Sequence, residues 1–359
     1  MTFARNRQPA RWQLPGTVGA LTLAITVACQ ARPFVEPPAD AEPREREPAV
    51  PGLTGKPSET SKPPQPQPQP QPQPAADAGW SNDPRSRSGS GSFVPPQPKR
   101  VRIVAIGDYG WAGPAEQQVA ELVDSLRPDY VVTTGDNNYP HGEASTIDQN
   151  IGQYFSELIH PYKGKYASSA TENRFFPTLG NHDWYTQGAA PYLDYFTLPG
   201  NERYYDVAWG DVHFFAIDSD PNEPDGITAT STQANWLRQG LAASTQAFNI
   251  VAMHHPPFSS GPHGDTAVMQ WPYAEWGADL VLAGHDHGYE RLEVDGLTYV
   301  VSGLGGASIY SYGPGVPGSI VRYSEQYGAT LLEADAQELR ISFFDVDGRL
   351  VDTARILAR

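Results

Sequence analysis

The spacing of apolar residues divides this chain into two unlike parts. Up to residue 98 it shows no lasting periodicity, only one apolar run at about 18–28. From Val101 onward, short apolar runs alternate with amphipathic ones. Those at 101–106, 130–134, 212–217, 248–253 and 279–283 are rich in β-branched and aromatic residues, which predicts strands. Between the first two, Val119, Leu122, Val123 and Leu126 recur at helical spacing, and Arg127-Pro128 ends that helix. Further helices are predicted at 147–159 and 232–241. Late in the chain the pattern changes: 297–301, 330–333, 339–345 and 350–354 read as strands joined by tight turns, Asp347-Gly348 among them. Strand-helix-strand units followed by antiparallel strands predict an α/β domain built on sheets over residues 99–359, large enough for a substantial core.

Composition sets the first hundred residues apart. Arg5, Arg7 and Arg11 precede the apolar run, which is too short to span a bilayer and ends in Val27-Ala28-Cys29. Residues 1–29 therefore read as an export signal. A small residue before the single cysteine resembles a bacterial lipoprotein signal, whose cysteine is lipidated, although Thr26 stands where Leu is usual. The expected location is outside the cytoplasm, anchored to a membrane by lipid; a plain signal peptide would make the protein periplasmic or secreted. Residues 30–98 are Pro/Gln/Ser-rich, with Pro-Gln alternation over 63–74 that favours polyproline II at about 3.1 Å per residue, and they read as a disordered tether. One cysteine excludes a disulfide framework or a thiolate metal cluster. A formal net charge of −16 with no basic stripe in the domain argues against a nucleic-acid surface. Bound metals can still reverse the sign locally for a phosphate.

The chemistry gathers where the apolar runs stop. The run from Val101 ends in Asp108-Tyr109-Gly110, and the next in Asp136-Asn137-Asn138-Tyr139. A short run at 175–179 ends in Gly180-Asn181-His182-Asp183. His254-His255 and Gly284-His285-Asp286-His287 close the last two. Carboxyl ends of strands form the ligand crevice of α/β sheets. An Asp after a strand more often caps a turn, and Gly-Asn is ordinary turn chemistry. Only Gly-His-Asp-His is specific by itself, since two imidazoles two residues apart suit metal ligation. Five such endings in one chain are hard to explain as structure alone.

Taken together, GDYG, GDNNY, GNHD, Val251-Ala252-Met253-His254 and GHDH resemble the motifs of the calcineurin-like metallophosphoesterases, and within them the purple acid phosphatases of the shorter, mammalian-type size class. The resemblance implies a sandwich of two mixed β-sheets flanked by helices. It implies that Asp108, Tyr139 and His287 hold a ferric ion, that Asn181, His254 and His285 hold a divalent ion (Zn²⁺, Fe²⁺ or Mn²⁺), and that Asp136 bridges them. It gives His182, and by a looser match His263, a role beside the phosphate or its leaving group. His255 lies where the family varies and is expected to be a surface or supporting histidine. Asp183 and Asp286 are candidates either for orienting their histidine neighbours or for turn packing.

The donor types fit that scheme on chemical grounds. Most metallophosphoesterases carry a histidine where this chain has Gly110, so one metal loses a neutral nitrogen donor and a Tyr139 phenolate can replace it. A phenol ionises near pH 10, so a strong Lewis acid must displace its proton, and anionic oxygens match Fe³⁺. Against two carboxylates, a phenolate and a hydroxide, a ferric ion with a divalent partner leaves net positive charge for a phosphate dianion; two divalent ions leave none. The implied reaction is in-line attack by a metal-activated hydroxide on a small phosphate monoester, with His182 or His263 protonating the leaving group. A phosphodiesterase or nucleotidase on the same scaffold is the enzyme alternative, for which the aromatic-rich stretch 184–205 would supply stacking surfaces. A non-catalytic surface-binding lipoprotein is the alternative of another class, and the loss of any donor would favour it.

Overall fold

The computed structural model describes residues 100–359, so the signal and tether read from the sequence lie outside the described residues. Strand β1 (Val101–Ile106) takes its two neighbours from opposite ends of the domain. It runs parallel to β2 (Tyr130–Thr133) and antiparallel to β11 (Gly328–Ala334), with Val101 opposite Ala334. With β3 (Phe175–Phe176), β12 (Glu338–Asp345) and β13 (Leu350–Leu357) they form a six-stranded sheet in the order β13-β12-β11-β1-β2-β3.

The second sheet comprises β4 (Tyr205–Trp209), β5 (Val212–Ala216), β6 (Phe248–Ala252), β7 (Leu280–Ala283), β8 (Tyr289–Val294), β9 (Leu297–Ser302) and β10 (Ser319–Tyr323). Its order is β10-β8-β9-β7-β6-β5-β4. The central β5, β6, β7 and β9 are parallel, and the outer strands pair antiparallel. Two mixed sheets with flanking helices are the architecture the motifs implied.

Strand alternation explains the continuous apolar runs. Phe214, Ile250, Leu280 and Leu282 pack in the core they share with Val104, Val132 and Ile341 of the first sheet. Their neighbours Phe215, Val251 and Val281 face the other way, against Leu237 and Leu241 of the helix Thr232–Ala243. Both faces of the second sheet are thus covered, as parallel strands require. Each fully buried side chain of this size contributes about 1.5–3 kcal/mol.

The helix Pro114–Leu126 starts on its proline and buries Val119, Leu122 and Val123, as its periodicity predicts. The expected helix at 147–159 is irregular instead: a π turn at Asp148–Gly152, an α turn at Gln153–Phe155 and a 3₁₀ turn at Ser156–Leu158. Its buried Ile147, Ile151, Phe155 and Ile159 fall every fourth residue, a spacing that a wider turn keeps on one face. The run at 175–179 yields only a two-residue strand because Pro177 has no N–H for a ladder. A bidentate pair ties the sheets together: Arg291 of β8 donates to Asp352 of β13 from Nε at 2.7 Å and Nη2 at 3.1 Å, and Tyr289 Oη donates to the same carboxylate at 2.8 Å.

Candidate metal centre

Five strand ends converge at one edge of the sandwich. The loops after β1, β2 and β3 deliver Asp108, Asp136 with Tyr139, and Asn181 with His182; those after β6 and β7 deliver His254, and His285 with His287. Three of these residues stand in the left-handed region: Asp108 at φ 56°, Asp136 at 54° and His285 at 69°. Each costs about 1 kcal/mol or more in a non-glycine residue and persists only where surroundings fix it. Here they do. The Asp108 N–H donates to Gly135 O at 3.1 Å, and the His285 N–H donates to the Asp108 carboxylate at 3.0 and 3.2 Å. Gly110 matters for another reason. A Cβ there would lie 1.8 Å from Asn137 O, so no histidine fits at this position.

Tyr139 reaches the space beside these carboxylates. Its hydroxyl donates to Asp136 Oδ2 at 2.9 Å, approaches Asp108 Oδ1 at 3.4 Å and lies 3.1 Å from His287 Nε2, itself 3.3 Å from Asp108 Oδ1. Beside this group, His254 Nε2 lies 2.9 Å from Asn181 Oδ1, 3.2 Å from His285 Nδ1 and 3.4 Å from Asp136 Oδ2. Asp136 touches both groups. The seven candidate donors named from the sequence therefore form two adjoining clusters with one shared carboxylate. Two clusters also satisfy the geometric condition for holding an ion, Asp108/Asp136/His287 and His254/His255/His285.

Electrostatics favour a cation in both. Burial drives the Tyr139 phenol well above its ordinary pKa, and the Asp136 and Asp108 carboxylates drive it further. Only added positive charge would ionise it. Burial also opposes the charged form of His254, yet Asp136, aided by Asp108 and the Thr134 carbonyl, pushes it up to about 10. Asp136 itself, despite burial, is held well below the usual carboxylate range by His254 and His182. A buried centre that recruits a proton to balance its carboxylates has the charge and the oxygen and imidazole donors to hold metal. Supports behind the donors orient them: His254 Nδ1 donates to Thr134 O at 2.8 Å, and His287 Nδ1 pairs with Ser308 Oγ at 2.7 Å.

Around the donors lies a ring of further groups. The backbone N–H of His182 donates to Asp136 Oδ1 at 2.9 Å and its Nδ1–H to Pro140 O at 2.7 Å, which turns Nε2 to within 3.9 Å of Asp136 Oδ2. The ring of His263 lies 4.1 Å from that of His285. Its loop is strapped down by Asp286, whose carboxylate accepts the His263 N–H at 3.0 Å and Ser259 Oγ–H at 2.5 Å. Gly261 passes so close that a Cβ would stand 2.1 Å from the Asp286 carboxyl carbon. Asp183 serves the other side, accepting from Gly180 N at 2.9 Å and Asn137 Nδ2 at 2.8 Å, so it braces the turns rather than an imidazole. His255 sits closer in than expected: its ring is 4.5 Å from that of His285, with Nδ1 fixed 2.9 Å from Ser219 Oγ. The HH pair was visible in the sequence; that the second ring turns inward depends on Ser219, distant in the chain.

A family model described as calcineurin-like phosphoesterase matches residues 101–289. Human tartrate-resistant acid phosphatase type 5 is 23% identical over 303 residues, covering 72% of this chain and 91% of that protein. Among solved structures, a purple acid phosphatase from yellow lupin (Lupinus luteus) seeds aligns with a TM-score of 0.59 at 19% identity, over 73% of this chain and 54% of that one. The Plasmodium GAP50 anchor of the inner membrane complex aligns with a TM-score of 0.58 at 17% identity, over 73% and 90%. At those identities the two structures speak for the fold alone.

Proposed function

From the premise that this chain belongs to the calcineurin-like phosphoesterase family, and is a phosphoric ester hydrolase of purple acid phosphatase-like kind, we propose that it hydrolyses phosphate monoesters at a centre of one ferric and one divalent ion. The observation that carries this reading is the position of the Tyr139 hydroxyl, among Asp108, Asp136 and His287 and beside a glycine that leaves no room for a histidine.

Asp108, Tyr139 and His287 would hold the ferric ion, Asn181, His254 and His285 the divalent one (Zn²⁺, Fe²⁺ or Mn²⁺), with Asp136 between. Such a pair, when bound, supplies positive charge to the phosphate oxygens and lowers the pKa of an attacking water. The chain's own groups do the rest. His182, its Nδ1–H committed to Pro140 O, presents Nε2 to the ester. His263, held over His285 by the Asp286 strap, is the second group placed to give the leaving oxygen a proton. The left-handed turns fix the carboxylates before substrate arrives, so little reorganisation remains for the reaction.

The test is a visible spectrum with metal analysis of the purified, oxidised protein. A phenolate on Fe³⁺ gives a charge-transfer band, and Tyr139→Phe should remove the colour and the ferric preference while leaving reduced activity. A colourless protein with two divalent ions, indifferent to Tyr139→Phe, would reduce Tyr139 to a packed aromatic. Outside the domain, the Ala28-Cys29 junction supports a lipid anchor. Cys29→Ser should then release active protein from the membrane fraction, and activity that stays membrane-bound would remove the anchor. Among the described residues no helix is long and apolar enough to cross a membrane.

A further inference from the structure

Among the imidazoles gathered at the metal centre, His255 is the one to which the proposed reaction gives no task. It follows β6, and the loop after the neighbouring β5 meets it there. The two strands run parallel with Ala216 opposite Ala252, and the Ile217 N–H donates to Ala252 O at 2.9 Å. Ser219 and His255 each stand three residues past that pair, so the register carries both to one place. Two contacts then end on a single atom: Ser219 Oγ accepts the His255 backbone N–H at 2.8 Å and lies 2.9 Å from its Nδ1. Ser219 is buried in a braced loop, where the Asp218 N–H donates to Gln233 Oε1 at 2.6 Å and the Asp220 N–H to Asp218 Oδ1 at 2.9 Å. Held from that side, the His255 ring leans inward. Its centre is 4.5 Å from that of His285 and 5.0 Å from that of His254, and the three residues offer ring nitrogens within 4.8 Å of one another.

At that spacing two roles compete for His255: a further nitrogen ligand, or a donor to the substrate. Its bonds to Ser219 decide between them. A hydroxyl has one proton to give, and among the described residues Ser219 Oγ meets no acceptor besides His255 Nδ1. It takes the backbone N–H on a lone pair and gives its own proton to Nδ1. A neutral imidazole that accepts at Nδ1 carries its hydrogen on Nε2, and a protonated nitrogen has no lone pair for a metal. Nε2, on the edge of the ring away from Ser219, makes no hydrogen bond among the described residues. We infer that His255 is a further catalytic residue, whose Nε2–H donates to a nonbridging oxygen of the phosphate, and that Ser219 is the positioning residue that sets its tautomer. Unlike His182 and His263, it transfers no proton: it keeps its hydrogen and stabilises the charge on the phosphoryl oxygens, as a donor fixed before the reaction can. This inference rests on the phosphatase reading and adds a residue to it.

The experiment titrates inorganic phosphate into the full-length, metal-loaded protein by calorimetry, and records metal content and kcat/KM for phenyl phosphate beside it. His255→Phe keeps a ring and removes the N–H. It should weaken phosphate binding about tenfold, the scale of one hydrogen bond to a charged group, lower kcat/KM at least as far, and retain both metals. His255→Gln, whose amide N–H reaches about as far as Nε2, should recover most of the loss. Ser219→Ala frees the tautomer and should cost about threefold. Loss of metal in His255→Phe would make the residue a ligand, and phosphate affinity indifferent to it would make it a bystander; either overturns the inference, as does a glutamine that restores nothing. Should His255→Phe not fold, Ser219→Ala carries the test, and an unchanged affinity there refutes the donor. If the unmutated protein binds phosphate but hydrolyses no ester, the phosphatase reading fails while the calorimetric comparison still decides the donor.

Discussion

The two sheets bring different chemistry to the same edge. Strands β1, β2 and β3 of the first sheet end in Asp108, Asp136, Tyr139 and Asn181, which offer oxygen. Strands β6 and β7 of the second end in His254, His285 and His287, which offer nitrogen. Neither sheet holds a complete set, since each of the two donor clusters draws on both. Hard anionic donors favour a trivalent ion and imidazoles a softer divalent one, so the mixed pair proposed above would owe its two unlike sites to how the sheets are docked.

The largest effect should come from Asp136, the group common to both clusters. Asp136→Ala should lower turnover of a generic aryl phosphate about a thousandfold and reduce the content of both metals; a variant retaining a tenth of the rate would show the centre needs no shared carboxylate. Next is a removal on the nitrogen side. His254→Ala should weaken zinc binding about a hundredfold in equilibrium dialysis and spare the visible band, the reverse of Tyr139→Phe. Equal loss of iron and zinc in both variants would mean that the sheets do not sort the ions.

A smaller effect is expected where the second sheet reaches around the site. Gly261→Ala puts a methyl against the Asp286 carboxylate and should push the His263 loop outward. Turnover should fall about tenfold for glycerol phosphate and less for p-nitrophenyl phosphate, whose leaving group needs no proton. Identical losses would remove His263 from proton transfer. The smallest effect on catalysis belongs to the cross-sheet pair. Burial works against ionised Asp352, but the bonds from Arg291 and Tyr289 outweigh it and hold its carboxyl below the ordinary value. Its stabilisation is therefore present above the unfolded pKa of about 3.9 and lost as pH falls through the lower folded value. Asp352→Asn should cost about 1–2 kcal/mol in urea unfolding at neutral pH, and the gap to the parent should close in acid. A gap that persists at low pH would assign the cost to packing.

What the sequence revealed is what lies within a few residues of a strand end. Asp108, Asp136, Tyr139, Asn181, His254, His285 and His287 were legible because strand, glycine turn and donor are adjacent in the chain, and the two-sheet architecture followed from a resemblance carried by those motifs. The supports were not legible, because they come from far away: Ser308 behind His287, Thr134 behind His254, Ser219 behind His255. Nor was the strap on His263, whose partner Asp286 is 23 residues distant. Strands β8 and β10 escaped notice because β8 carries Glu290, Arg291 and Glu293 among its apolar residues, and β10 carries Ser319 and Arg322. The stretch 184–205 was read as possible stacking surface, whereas burial reserves all but Tyr185 of its aromatic rings for packing or partial packing in the domain.

The pairing of β1 with β11 makes the aim of Asp108 depend on a contact distant in the chain. Asp108 is synthesised early, yet the strand that aims it has one neighbour some 30 residues later and the other more than 200 residues later, at Gly328–Ala334. Contacts at such separation form slowly, because a long loop must close before they contribute. The strand that aims Asp108 therefore lacks its second edge until β11 is available to pair with it.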